Sequence, residues 1–169
     1  HEEAAASFTR ALELAPGMAE PHNNLASACR ALGRLDDAVG HYREAIRLEP
    51  RLSAAYFNLG LLLLERDEAG AAADVLSAAV PLREGDGEVH YLLGQALFRS
   101  GHPAEAIAAF ERTLAIDPDH AGARSRLVYA RRQACDWDGI EAAEDGLCHR
   151  RVGGQDQRAA ELLEALHHQ

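Results

Sequence analysis

The chain has 169 residues, of which 47% are hydrophobic, 26% charged and only 5% aromatic, with a formal net charge of −10 and no lysine among its basic residues. That length suits one domain or a short repeat array, and the charge excludes the concentrated positive surface that a nucleic-acid backbone needs. No stretch is long and apolar enough to span a bilayer, "LGLLLL" at 59–64 being too short, and three cysteines with no CxxC pair read as reduced thiols of a cytoplasmic protein.

Ala and Leu carry the packing and β-branched runs are few, so the sequence predicts an all-α protein. A first helix over 1–15 ends at Pro16 in "LELAP". A second starts near 19 and runs to about 32, where Gly33 in "LGRLDD" supplies a turn with φ > 0. The third closes at Pro50 in "IRLEP", because proline cannot continue a helix. The next pair starts near 53, but Asp67 stands where the turn glycine should be, Glu84 replaces the closing proline, and Pro81 falls inside the end of the second helix. That helix should stop early and leave "REGDG" (83–87) as a mobile loop; its acidic residues lack the oxygen spacing of a calcium loop. A third pair starts near 87, turns at Gly101 and Pro103 in "SGHPAE", and ends at Pro118 in "LAIDP". A last helix follows over 121–134.

Pro16 and Pro50 stand 34 residues apart, and Pro118 stands twice that distance further on. At this period other columns align: Phe8, Tyr42, Leu76 and Phe110; Leu25, Leu59, Leu93 and Leu127; Ala38, Ala72 and Ala106; Ala11, Ala45 and Ala79; and Ala26, Gly60 and Gly94. The small residues let two antiparallel helices approach closely, and the large ones fill the seam between hairpins. The pattern resembles the tetratricopeptide repeat. It covers 1–134: a half repeat at 1–18, full repeats at 19–52, 53–86 and 87–120, and helix A of a last repeat at 121–134. The first helix is then a helix B without its A, so Phe8 and Leu12 are expected to have one side uncovered, a route to self-association.

The resemblance implies a right-handed superhelix of antiparallel hairpins whose inner wall is built by the A helices. Family wall positions hold Asn23, Asn24 and Ser27, then Phe57, Asn58, Leu61 and Leu64, then Tyr91, Leu92, Gln95 and Phe98, and finally Arg126, Tyr129 and Arg132. Such a wall changes from amide-rich to aromatic to basic. It should bind an extended protein or peptide partner, with Asn24 and Asn58 reading its backbone, apolar side chains against Phe57, Leu61, Tyr91 and Phe98, and an acidic part near Arg126 and Arg132. The family's clamp for a C-terminal carboxylate does not fit, because Asn23, Ser27, Asn58, Glu88 and Leu92 supply one of its five residues.

Residues 135–169 leave the columns and read as C-terminal capping helices or a linker to a further domain. The triplet Cys135, Asp136, Trp137 resembles the end of the repeat array in O-GlcNAc transferases and SPINDLY-type proteins. Asp136 could cap the next helix and Trp137 could cover the last hairpin. A second reading follows from that resemblance: the substrate-recruiting arm of a protein glycosyltransferase whose catalytic domain is not in this chain. The chain itself carries no P-loop, GxGxxG, GxSxG or HExxH motif. The sequence therefore predicts a non-catalytic module without cofactor or metal.

Overall fold

The computed structural model describes residues 1–134. They form eight α-helices and a 3-10 turn: α1 (Glu2–Leu14), α2 (Ala19–Ala31), α3 (Leu35–Leu48), α4 (Ser53–Glu65), α5 (Ala69–Ala79), the turn Val80–Leu82, α6 (Gly87–Arg99), α7 (Pro103–Ile116) and α8 (Ala121–Gln133). Helices A are α2, α4, α6 and α8, all within a residue of their expected bounds. Among the described residues there is no strand, and no helix is long and apolar enough to cross a membrane.

Each hairpin turns by the same hydrogen-bond device. Arg34 donates to the Cys29 carbonyl, Glu68 to Leu63 and His102 to Leu97, each at 2.9 Å, closing helix A with a left-handed residue one position earlier. That residue is Gly33 (φ 76°), Asp67 (φ 63°) or Gly101 (φ 88°). Asp67 adopts the conformation for which glycine is otherwise needed, so the sequence departure did not change the turn.

The aligned columns are the core. Tyr42, Leu76, Phe110, Ala38, Ala72, Ala106, Ala45 and Ala79 are all fully buried. Close approach is strict at two glycines: a Cβ on Gly60 would lie 2.5 Å from Leu76 Cγ, and one on Gly94 would lie 2.6 Å from Phe110 Cε1. Thr113 takes the place of the column alanine, and its buried hydroxyl is satisfied by donating to the Ala109 carbonyl at 3.0 Å. Cys29 packs at 1% exposure as a small apolar side chain.

At Pro81 the helix tightens into the 3-10 turn, as expected of a proline that removes a helical donor. The segment expected as the loop 83–87 is shorter. Gly87 already belongs to α6, and Asp86 accepts from the Glu88 amide at 3.0 Å as its N-cap while binding Arg83 at 2.9 Å. At the other end Phe8 and Leu12 pack partly against the core, whereas Leu14 and Met18 are exposed.

Candidate functional site

Successive A helices touch one another, α2 to α4, α4 to α6 and α6 to α8, more than successive B helices do. The A side is therefore the shorter, inner side of the curve, and its exposed residues line a groove. Polar rungs cross this wall from one repeat to the next at a 35-residue interval. Asn58 Nδ2 donates to Asn23 Oδ1 at 3.2 Å, Arg30 Nε to Glu65 at 2.9 Å, and Arg99 Nη1 to the Leu64 carbonyl at 3.0 Å. Arg99 also pairs with Asp67, which ties the strained turn to the next repeat.

The amides form a chain rather than isolated rungs. Asn58 donates to Asn23, and Asn23 Nδ2 donates onward to Asn24 Oδ1 at 3.4 Å. Donors thus remain on Asn24 Nδ2 at one end and an acceptor on Asn58 Oδ1 at the other. Ser27 is used differently from the expectation. Its hydroxyl donates to the Asn23 carbonyl at 3.1 Å and accepts from the fully buried Tyr42 hydroxyl at 2.9 Å, so its proton is not offered to the groove. Burial raises the Tyr42 phenol, which keeps that proton in place. The hydrogen bond from Arg30 to Glu65 holds the guanidinium firmly charged and neutralises this part of the wall.

The middle is apolar. Phe57 and Leu61 are half-buried, and the Arg83 guanidinium lies 4.8 Å from the Phe57 ring centroid, within cation–π range. Two family wall positions, Leu64 (7% exposed) and Leu92 (5%), point into the core instead of lining the groove. Tyr91 packs tilted against His120, with ring centroids 4.4 Å apart, and a Cβ on Gly122 would lie 2.8 Å from the Tyr91 hydroxyl, so the first turn of α8 is shaped around that phenol. His120 is the N-cap of α8: its Nδ1 accepts from the Ala123 amide at 3.0 Å, which puts the ring proton on Nε2, 3.3 Å from Glu88. Phe98 meets Tyr129 at 5.4 Å, and Tyr129 stays 51% exposed. Gln95 is half-buried on α6, and Arg126 and Arg132 are exposed on α8.

Sequence reading missed Arg83 and His120. Arg83 sits in the segment expected to be irregular and His120 in a cap, where column alignment carries no signal. Tyr129, by contrast, stands at a wall position of the 34-residue frame. Asp136 and Trp137, the expected caps, lie outside the described residues.

This architecture is an α-solenoid of helical hairpins. The hairpins are tetratricopeptide repeats: the pattern described as "Tetratricopeptide repeat" matches residues 87–120, and one described as "TPR repeat" matches 26–66. The chain is 33% identical over 144 residues to "Cellulose synthase 2 operon protein C" of Komagataeibacter xylinus, covering 83% of this chain and 11% of that protein. It is 30% identical over 117 residues to the "Hsp70-Hsp90 organizing protein" of Triticum aestivum, covering 69% and 20%. It therefore spans between a tenth and a fifth of the length of these relatives. Among solved structures, "MamA 41-end from Desulfovibrio magneticus RS-1" superposes with a TM-score of 0.79 at 22% identity, over 93% of this chain and 87% of that one. "First TPR of Spaghetti (RPAP3) bound to HSP90 peptide SRMEEVD" superposes at 0.65 and 19% identity, over 69% and 93%. At such identities the structural likeness speaks for the fold alone.

Proposed function

We propose that the chain is a protein-interaction module that holds an extended peptide along the inner wall of its repeats. The observation that carries this reading is the wall itself, where an amide chain with a free donor end and a free acceptor end runs into an open apolar strip. Asn24 Nδ2 takes a peptide carbonyl and Asn58 Oδ1 a peptide amide, so this part of the groove reads backbone. Phe57, Leu61, Tyr91 and Phe98 receive apolar side chains, and Arg126 and Arg132 attract an acidic portion. A related repeat protein bears the name Hsp70-Hsp90 organizing protein, and a similar fold was solved with a bound peptide; both fit this role.

The test is a panel of unrelated peptides scored by fluorescence anisotropy against two double variants. Leaving a buried hydrogen bond unmade costs about 1–3 kcal/mol. Asn24→Ala with Asn58→Ala should therefore weaken all binding peptides together, after a thermal melt has shown that losing the Asn58–Asn23 rung leaves the array folded. Arg126→Ala with Arg132→Ala should penalise acidic peptides selectively, by a margin that shrinks as salt rises. If the Asn variant changes nothing while the Arg variant weakens every peptide equally, the groove assignment is wrong.

A further inference from the structure

Three interhelical clefts lie between successive B helices, away from the inner wall, and the 34-residue frame puts the same columns around each. The first, between α1 and the α2–α3 hairpin, is lined by Glu2, Leu32 and Arg34. The third, between α5 and α7, is lined by their column-mates Gly70, Ser100 and His102. In the middle the same columns hold Asp36, Arg66 and Glu68, and there the chain fills the space itself. The half-buried Arg66 reaches from the end of α4 to Asp36 on α3, and to Glu68 at the start of α5 at 2.6 Å.

The first cleft keeps the anion of this arrangement and lacks its cation. Glu2 stands in the column of Asp36, but Leu32 stands where Arg66 reaches across, and about 730 Å³ is left open. Ligand clefts span roughly 300–1,000 Å³, so the space admits a side chain with its neighbours. The floor is apolar: Ala5, Leu25 and Cys29 are buried there, and Leu32 is half-buried. The arginines on the rim are already matched, Arg10 by Glu13 at 2.6 Å and Arg34 by Asp37 at 2.7 Å. That leaves Glu2 as the lining carboxylate with no partner among the described residues. The third cleft, about 300 Å³, has lost the pair altogether, with Gly70 and Ser100 in the columns of Asp36 and Arg66.

We infer that this first cleft receives an arginine side chain from a partner protein. Its methylenes lie on the apolar floor, as the stems of long basic side chains do, and its guanidinium meets Glu2 as Arg66 meets Asp36. Arginine suits the place better than lysine, because its planar fork engages a carboxylate through two parallel hydrogen bonds. Thr9, on the same rim, adds a hydroxyl acceptor. The net charge of −10 draws a basic segment toward the chain. The cleft shares no lining residue with the inner wall, so it is a second docking surface whose occupant does not depend on the groove.

The experiment uses the full chain with carbon-13-labelled leucine methyls, titrated with an acetylated, amidated hexapeptide, Ala-Ala-Leu-Arg-Ala-Ala, and followed by NMR. The peptide should shift the Leu25 and Leu32 methyls. Replacing its arginine by citrulline removes the charge and keeps the shape. That change should weaken binding roughly two- to fivefold, the scale of a partly exposed ion pair. Glu2→Gln should do the same, and the two changes together should cost no more than either alone. Leu32→Arg should supply the cation from within and abolish the response of the Leu25 methyls. Circular dichroism checks that this variant folds, and the exposed Glu2→Gln decides if it does not. Asn24→Ala with Asn58→Ala should leave the cleft response intact, which separates this site from the groove. Cleft methyls that ignore the arginine peptide, that respond as strongly to citrulline, or whose two losses simply add would overturn the proposal.

Discussion

The hairpin of α4 and α5 turns through Asp67 at φ 63°, whereas the hairpin of α6 and α7 turns through Gly101 at φ 88°. The first closes on a 3-10 turn at Pro81, and the second runs through to Ile116 before Pro118. Yet the seams of the two hairpins share one geometry, with Gly60 under Leu76 and Gly94 under Phe110. The difference teaches where the repeat is tolerant. A turn can accept a side chain at positive φ when a partner holds it, as Arg99 holds Asp67. The seam cannot accept one more carbon, because the facing side chain is fully buried and has nowhere to go.

The largest effects should therefore come from the seam. Gly94→Ala puts a Cβ 2.6 Å from the Phe110 ring and should cost about 1–3 kcal/mol of unfolding free energy, the range for an overpacked core. Gly60→Ala, at 2.5 Å from Leu76, should cost a similar amount. Each should be partly rescued by trimming its own partner, Phe110→Leu or Leu76→Val, and not by trimming the other. Urea unfolding of the singles and doubles measures this, and rescue across hairpins would show that the two seams are not independent.

A smaller effect belongs to the turns. Gly101→Asp introduces a side chain at φ 88° and should cost on the order of 1 kcal/mol. Asp67→Gly should be near neutral, because relief of the backbone is offset by loss of the Arg99 pair. Asp67→Ala should destabilise, since it keeps the strain and loses the partner. Equal effects of Ala and Gly at position 67 would remove the argument that Arg99 holds this turn.

The smallest effect distinguishes the hairpins by pH. His90 in α6 is 8% exposed, and burial first, then the nearby Arg112 charge, holds it below the usual imidazole range. The unfolded chain therefore takes up the proton first as pH falls. The stability is fully present above the ordinary histidine range and declines as pH drops through it. His90→Gln should flatten the dependence of unfolding free energy on pH between about 7 and 5, leaving the share that comes from the similarly lowered His41. An unchanged slope would mean that His90 is equally protonated in both states.

Much of this fold was legible because its period is long and strict. Proline and glycine mark most helix ends by a backbone property, and the columns mark the core by size alone, so the bounds of the A helices came out within a residue. The groove was legible only by position. Which side chain is open and which is already bonded depends on contacts across repeats. Nothing in the text of "HNNLA" shows that Asn58 lies on Asn23, or that Ser27 gives its proton to the Asn23 carbonyl. Leu64 and Leu92 stand at wall positions but turn inward, because at their points on the helix the apolar interior is as near as the groove.

The rungs along the inner wall have a mechanical meaning. Asn23–Asn58, Arg30–Glu65, Leu64–Arg99 and Glu88–His120 each join one A helix to the next and reach no further. A force that pulls the ends of the array apart would load the three junctions in series, with two links sharing the first of them, so the wall would lengthen first at whichever junction is weakest. A peptide lying along the groove crosses several links at once. It would act as a strap in parallel with them, and a loaded array would be stiffer than an empty one.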